Sequence, residues 1–95
     1  SSLGFIGIDG DYIVYRNGST SKICKIKFKN FNSGEISDEI VLSNTTADAP
    51  SELMVPEIVG NYVYFMNTKS SETYLFRTSL DIPETVEDAE QVGVK

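Results

Sequence analysis

Along most of the chain apolar and polar residues alternate with a period of two, the spacing that puts successive side chains on opposite faces of a strand. Stripes with the helical i, i+3, i+4 spacing are scarce. The pattern predicts four strands in the first half, over residues 3–9, 11–16, 22–29 and 39–43. A loop rich in Thr, Ala and Asp, with a single Pro50, follows over residues 44–52. Four further strands are predicted over residues 53–59, 62–67, 73–79 and 89–94. Asp9-Gly10 and Gly60-Asn61 are signals for tight hairpins that need a positive φ, and Asn17-Gly18 opens a wider turn. Each half therefore reads as strand, tight turn, strand, longer hairpin, strand, loop, strand.

Two segments depart from alternation. Tyr12-Ile13-Val14-Tyr15 and Tyr62-Val63-Tyr64-Phe65 are unbroken apolar runs, which place large side chains on both faces of a sheet at once. Such strands need cover on both sides. The third strand reads differently: Cys24, Ile26 and Phe28 are expected to point inward while Lys25, Lys27 and Lys29 face solvent, which places that strand nearer the outside.

The halves resemble each other. Gly10-Asp11-Tyr12-Ile13-Val14-Tyr15-Arg16-Asn17 aligns with Gly60-Asn61-Tyr62-Val63-Tyr64-Phe65-Met66-Asn67 at an offset of 60 − 10 = 50. Ile23-Cys24-Lys25 aligns with Leu75-Phe76-Arg77 at 75 − 23 = 52, so the second hairpin is two residues longer. A four-stranded unit repeated about every 50 residues has the period of a β-propeller blade. The predicted fold class is all-β, with two four-stranded antiparallel meander units as β-propeller blades, and a compact two-sheet β-sandwich as the alternative. Residues 1–95 are expected to form a single all-β unit of two repeats, about 1–46 and 47–95, within a larger propeller or assembly.

The repeated pattern of Gly-Asp/Asn-Tyr-Ile/Val-x-Tyr/Phe-x-Asn, a short polar hairpin, then aliphatic-aromatic-Arg/Lys resembles bacterial β-propeller repeats of a domain-of-unknown-function family. That family is related to the low-density-lipoprotein-receptor YWTD type. The YWTD tetrapeptide itself is absent, and Cys24 stands where an aromatic residue is typical. The resemblance implies a non-catalytic module of a secreted or surface-attached bacterial protein that binds proteins or glycans, and it transfers no catalytic residue. A propeller ring needs about four to eight blades. The chain starts at Ser1 rather than Met, as expected of a piece of a longer parent. Two blades alone are expected to expose a wide apolar face and to associate with copies of themselves or with further blades.

Composition narrows the chemistry. The 95 residues are 40% hydrophobic and 23% charged, ordinary for a folded protein, with a net charge of −6. An acidic chain is poorly suited to a phosphate backbone, so nucleic acid is not expected as a partner. The acid sits in the second half: residues 1–42 hold five Lys/Arg and five Asp/Glu, residues 43–95 three and nine. No apolar run approaches the roughly 20 residues of a membrane-spanning helix.

Histidine is absent, which removes the usual acid–base group and any Ser-His or Cys-His arrangement within the chain. One cysteine, Cys24, forms no intrachain disulfide and no thiolate zinc site. Cys24 is expected to be a small buried hydrophobe. Asp9 and Asp11 have a spacing that could give oxygens to calcium, but hairpin chemistry accounts for them and no metal is assigned. Glu84, Glu87, Asp88 and Glu90 read as a solvated loop leading into the last strand. No catalytic residue and no cofactor is predicted. Among the tyrosines, most are expected in the core, and Tyr12, Tyr62 and Tyr64 are the candidate ligand contacts because aromatic rings stack on sugars and anchor protein interfaces. The expected role is a non-enzymatic binding or scaffolding module of propeller type for protein or glycan ligands, with a purely structural spacer or self-assembling unit of a larger surface protein as the alternative.

Overall fold

The computed structural model describes residues 4–48, 55–69 and 71–94, and every regular element in them is a β-strand. In chain order these are β1 (Gly4–Asp9), β2 (Tyr12–Arg16), β3 (Lys22–Asn30), β4 (Glu35–Ile36), β5 (Ile40–Thr46), β6 (Glu57–Val59), β7 (Tyr62–Lys69), β8 (Glu72–Ser79) and β9 (Glu90–Val94). All pairings are antiparallel between chain neighbours, except that β5 pairs with β3. The first sheet runs β1-β2-β3 and is completed by β4 on one end of β3 and β5 on the other, so that β4 and β5 act as one interrupted edge strand. The second sheet runs β6-β7-β8-β9. The chain is thus all-β, built of two antiparallel meanders.

The tight turns follow from glycine. Gly10 and Gly60 sit at φ 60° and 61°, conformations that a Cβ disfavours, and each opens a two-residue turn between paired strands. The wider hairpins differ. In the first, Asn17 Oδ1 accepts the backbone N–H groups of Ser19 and Thr20, and Ser21 N donates to Asn17 O at 2.7 Å. In the second, the two extra residues lengthen the ladder instead, with Thr68 opposite Thr73 and Lys69 opposite Glu72.

Beyond shifts of one or two residues at several strand ends, the strands depart from expectation in three places. β4 was not foreseen, because a two-residue strand carries no period; it forms because Asn30 Oδ1 caps the preceding turn and Gly34 takes φ 77°. β5 runs to Thr46, into the expected loop, because Thr46 pairs with Lys22 across a bulge. β6 begins only at Glu57, since Pro56 has no N–H to give a ladder. Residue 3 and residues 53 and 54 of the expected strands lie outside the described residues.

The sheets stack face to face. Val14, Ile23 and Leu42 of the first sheet and Val63, Phe65 and Phe76 of the second form the main core, joined by Ala47 and Leu80. The Phe65 and Phe76 rings stack with centroids 6.0 Å apart. Strand β1 approaches β6 and β5 approaches β8. Gly7 lets this happen: a Cβ there would come within 2.7 Å of Ile58 Cδ1. Polar latches hold the other edge, where Asn67 Nδ2 donates to Thr46 O at 2.8 Å and Thr78 Oγ1 to Leu42 O at 3.2 Å. The acidic loop after β8 is tied to β5 by Asn44, whose backbone N–H donates to Glu87 O at 2.8 Å.

The apolar run of β2 is covered unequally. Val14 enters the core between the sheets, while Tyr15 alternates to the opposite face and is buried with Cys24 and Ile26, flanked by Ile13 and Val41. The expectation for β3 is corrected. Ile23, Cys24, Lys25 and Ile26 are all buried, so the strand is not an outer one, and Phe28 is 42% exposed rather than inward and covered. Lys25 is no solvated residue, because the second sheet lies over its face.

Candidate functional site

The face of each sheet that carries the even-numbered residues of its long apolar strand is called its front. In the first sheet the pairs Val14 with Lys25 and Tyr12 with Lys27 place these four residues on the front. In the second sheet the pairs Tyr64 with Arg77 and Tyr62 with Ser79 do the same. The front of the first sheet meets the back of the second, which presents Val63 and Phe65. Among the described residues no sheet lies on the back of the first sheet or on the front of the second, although Tyr15 and Cys24 on the one and Met66 on the other are buried.

On the covered front, Lys25 Nζ lies 4.3 Å from the Tyr12 ring centroid, forms an ion pair with Asp9 at 3.1 Å and donates at 2.5 Å to O of Leu80, the residue after β8. Burying a lysine requires such compensation, and here a carboxylate, a carbonyl and an aromatic face supply it. Lys27 lies 5.4 Å from the same ring. Tyr12 is half-buried under these two cations.

On the open front of the second sheet, Arg77 repeats that arrangement. Its guanidinium lies 4.1 Å from the Tyr62 centroid, Nε donates to Glu90 Oε1 at 2.8 Å and Nη1 to the Tyr64 hydroxyl at 3.4 Å. The Glu90 carboxylate, and after it the Tyr64 hydroxyl, hold Arg77 more firmly protonated than usual. Arg77 therefore is a fixed positive charge on an aromatic plate.

The back of the first sheet is apolar. Around the buried trio of Tyr15, Cys24 and Ile26 stand Phe5 at 68%, Ile8 at 60% and Ile36 at 49% exposure. Its polar group is Glu39, whose carboxylate accepts the Tyr15 hydroxyl and Asn17 Nδ2. Burial, then Glu39, pushes the Tyr15 phenol above its usual range. The same causes push the Cys24 thiol up to about 12. A thiol that keeps its proton at neutral pH is a packing group rather than a nucleophile.

Of the three candidate tyrosines, Tyr62 and Tyr64 share one face with Arg77 between them, whereas Tyr12 lies on the other sheet beneath lysines. Of the five tyrosines Tyr15 is buried, while Tyr12, Tyr62, Tyr64 and Tyr74 are half-buried, Tyr74 packed against the main core. Their hydroxyls and rings engage charged neighbours at the sheet margins, which an apolar run cannot reveal. Residue-type reasoning missed Lys25 and Arg77 as the organisers of the two fronts. The signal was present in the offset of 52 that aligns them.

Other features are modest. Asp11, Lys27, Phe28, Lys29 and Phe31 line an open groove, with Phe28 and Phe31 edge to face at 5.4 Å. Asn67 Oδ1 is buried without a hydrogen-bond partner. No group of three or more carboxylate or thiol side chains converges as metal ligands among the described residues. No helix among them is long and apolar enough to cross a membrane. Compared with known proteins, the chain matches no family model, no curated protein and no solved structure.

Proposed function

We propose that the chain is a non-catalytic binding and scaffolding module of the propeller-blade kind, whose working surfaces are its two open sheet faces. The observation that carries this reading is the apolar back of the first sheet, where Phe5, Ile8, Phe28 and Ile36 stand exposed on one face as a band around the buried Tyr15, Cys24 and Ile26. Soluble proteins rarely expose such a band unless another surface covers it. The chemistry elsewhere supports binding rather than catalysis: the chain lacks histidine, and its one thiol is buried and protonated.

Protein is favoured over glycan as the ligand class. Sugar stacking needs an open aromatic face, and the Tyr12 and Tyr62 rings each already carry a cation at 4.3 and 4.1 Å. A titration of neutral and anionic oligosaccharides, followed by tyrosine fluorescence, tests the choice. No saturable change up to about 1 mM, the weak limit of useful recognition, is expected. A saturable response lost in Tyr64→Ala would overturn the protein reading in favour of glycan.

A further inference from the structure

The stacking of the two sheets is head to tail, and it leaves the two halves of the same junction unpaired at the ends of the molecule. The ladder fixes the equivalences: Arg16–Ile23, Val14–Lys25 and Tyr12–Lys27 in the first sheet correspond to Met66–Leu75, Tyr64–Arg77 and Tyr62–Ser79 in the second. The first sheet buries its front, through Val14 and Ile23. The second buries its back, through Val63 and Phe65, whose equivalents in the first sheet are Ile13 and Tyr15 on the side turned away from the second sheet, where Phe5, Ile8 and Phe28 rather than Tyr15 are the exposed apolar groups. The junction is therefore heterologous, with unlike faces in contact, and a heterologous contact can be repeated without limit or until a ring closes.

We infer that a second copy of this chain docks its first-sheet back onto the second-sheet front, repeating the internal junction between molecules. This deepens the scaffolding reading and rests on it, naming the partner as the chain itself. Internally, Lys25 reaches across the junction to Leu80 O at 2.5 Å, and the Leu80 side chain, 2% exposed, fills the core beside it. The equivalent of Lys25 is Arg77, already held over Tyr62 as Lys25 is over Tyr12. Ser79 is equivalent to Lys27, so the equivalent of Leu80 is Phe28, which is exposed in the single chain. In the stacked pair Arg77 donates to the carbonyl of Phe28 in the second copy, and the Phe28 ring takes the place that Leu80 occupies within the chain.

One position departs from the repeat. Gly7, over which Ile58 sits, pairs with Val14, and its equivalent opposite Tyr64 is Glu57. Between molecules Ile8 of the second copy, the equivalent of Ile58, meets the Glu57 side chain instead of an empty position. The intermolecular junction is accordingly weaker than the internal one.

The test is sedimentation velocity on the full chain across a concentration series, with Arg77→Glu on the front, Phe28→Glu on the back, and Glu57→Gly. The unaltered chain is expected to exceed its 10.5 kDa monomer mass as concentration rises. Each charge substitution alone is expected to weaken association at least tenfold, about 1.4 kcal/mol by RT ln 10. An equimolar mixture of the two is expected to form a capped dimer, because each variant keeps one working face. Glu57→Gly is expected to tighten association. A monomer at every concentration, or Arg77→Glu associating as the unaltered chain does, would overturn the inference. Should Phe28→Glu fail to fold by circular dichroism, Ile8→Glu replaces it. A monomeric chain removes the stacking alone, whereas the scaffolding reading falls only to a saturable glycan response.

Discussion

Lys25 and Arg77 occupy matching ladder positions in the two sheets, and they live in different surroundings. Each stands on the front of its sheet over the tyrosine that begins the long apolar strand. Lys25 is 4% exposed because a second sheet lies on it, and its charge is met by Asp9 and the Leu80 carbonyl. Among the described residues Arg77 has no sheet over it, and it pairs with Glu90 across the ladder. The same local geometry thus yields a structural residue where a neighbour is present and a candidate docking residue where none is. A repeat supplies its own control, since the covered copy shows what the open copy is shaped to receive.

The comparison can be broken most severely by removing the cover. Phe65→Ala deletes the stacked ring facing Val14 and Ile23 and is expected to cost about 3–5 kcal/mol, a large share of the stability of a small domain, read as the midpoint of urea unfolding. Lys25→Met should cost about 1–3 kcal/mol by the same measurement, since the Leu80 carbonyl loses its charged donor while Asp9, partly exposed, regains water. Arg77→Met should leave the midpoint nearly unchanged, as exposed pairs do. Equal losses at the two positions would refute the distinction drawn between them.

The back of the first sheet adds a pH test. The Cys24 thiol ionises near 8.5 in an unfolded chain and at about 12 in the folded one, so above about pH 8.5 the unfolded state sheds a proton that the native state retains. Its contribution to stability is whole below about pH 8.5 and is lost progressively as pH rises towards 12. Melting temperature should fall over that range, and Cys24→Ala should flatten the fall. An unchanged slope in that variant would assign the effect elsewhere.

The smallest effect separates the hairpins. Ser71 is exposed at φ 70°, so Ser71→Gly should gain about 0.5 kcal/mol by relieving a left-handed side chain against the entropy of glycine. Ser21, at φ 63°, accepts Arg16 Nη2 at 2.8 Å, and Ser21→Gly should gain nothing because that bond is lost.

The β-strands and the two tight turns were legible because each depends on local rules: period-two alternation and glycine at positive φ. The candidate site was legible only in part. Tyr62 and Tyr64 were singled out by residue type, yet Arg77, which joins them, was seen only as an alignment position. Asn17 and Asn67 make the same point, for they are equivalent in sequence but one caps its own hairpin and the other crosses to Thr46.

By itself, then, the sequence determined the all-β class, the meander order and the faces on which side chains alternate, because backbone sterics and pleating act between near neighbours. Only the tertiary structure decided which face of each sheet is covered. That choice turned an expected solvated Lys25 into a buried one and left Phe28 exposed, because burial depends on what another part of the chain places there, and neither alternation nor composition carries that information.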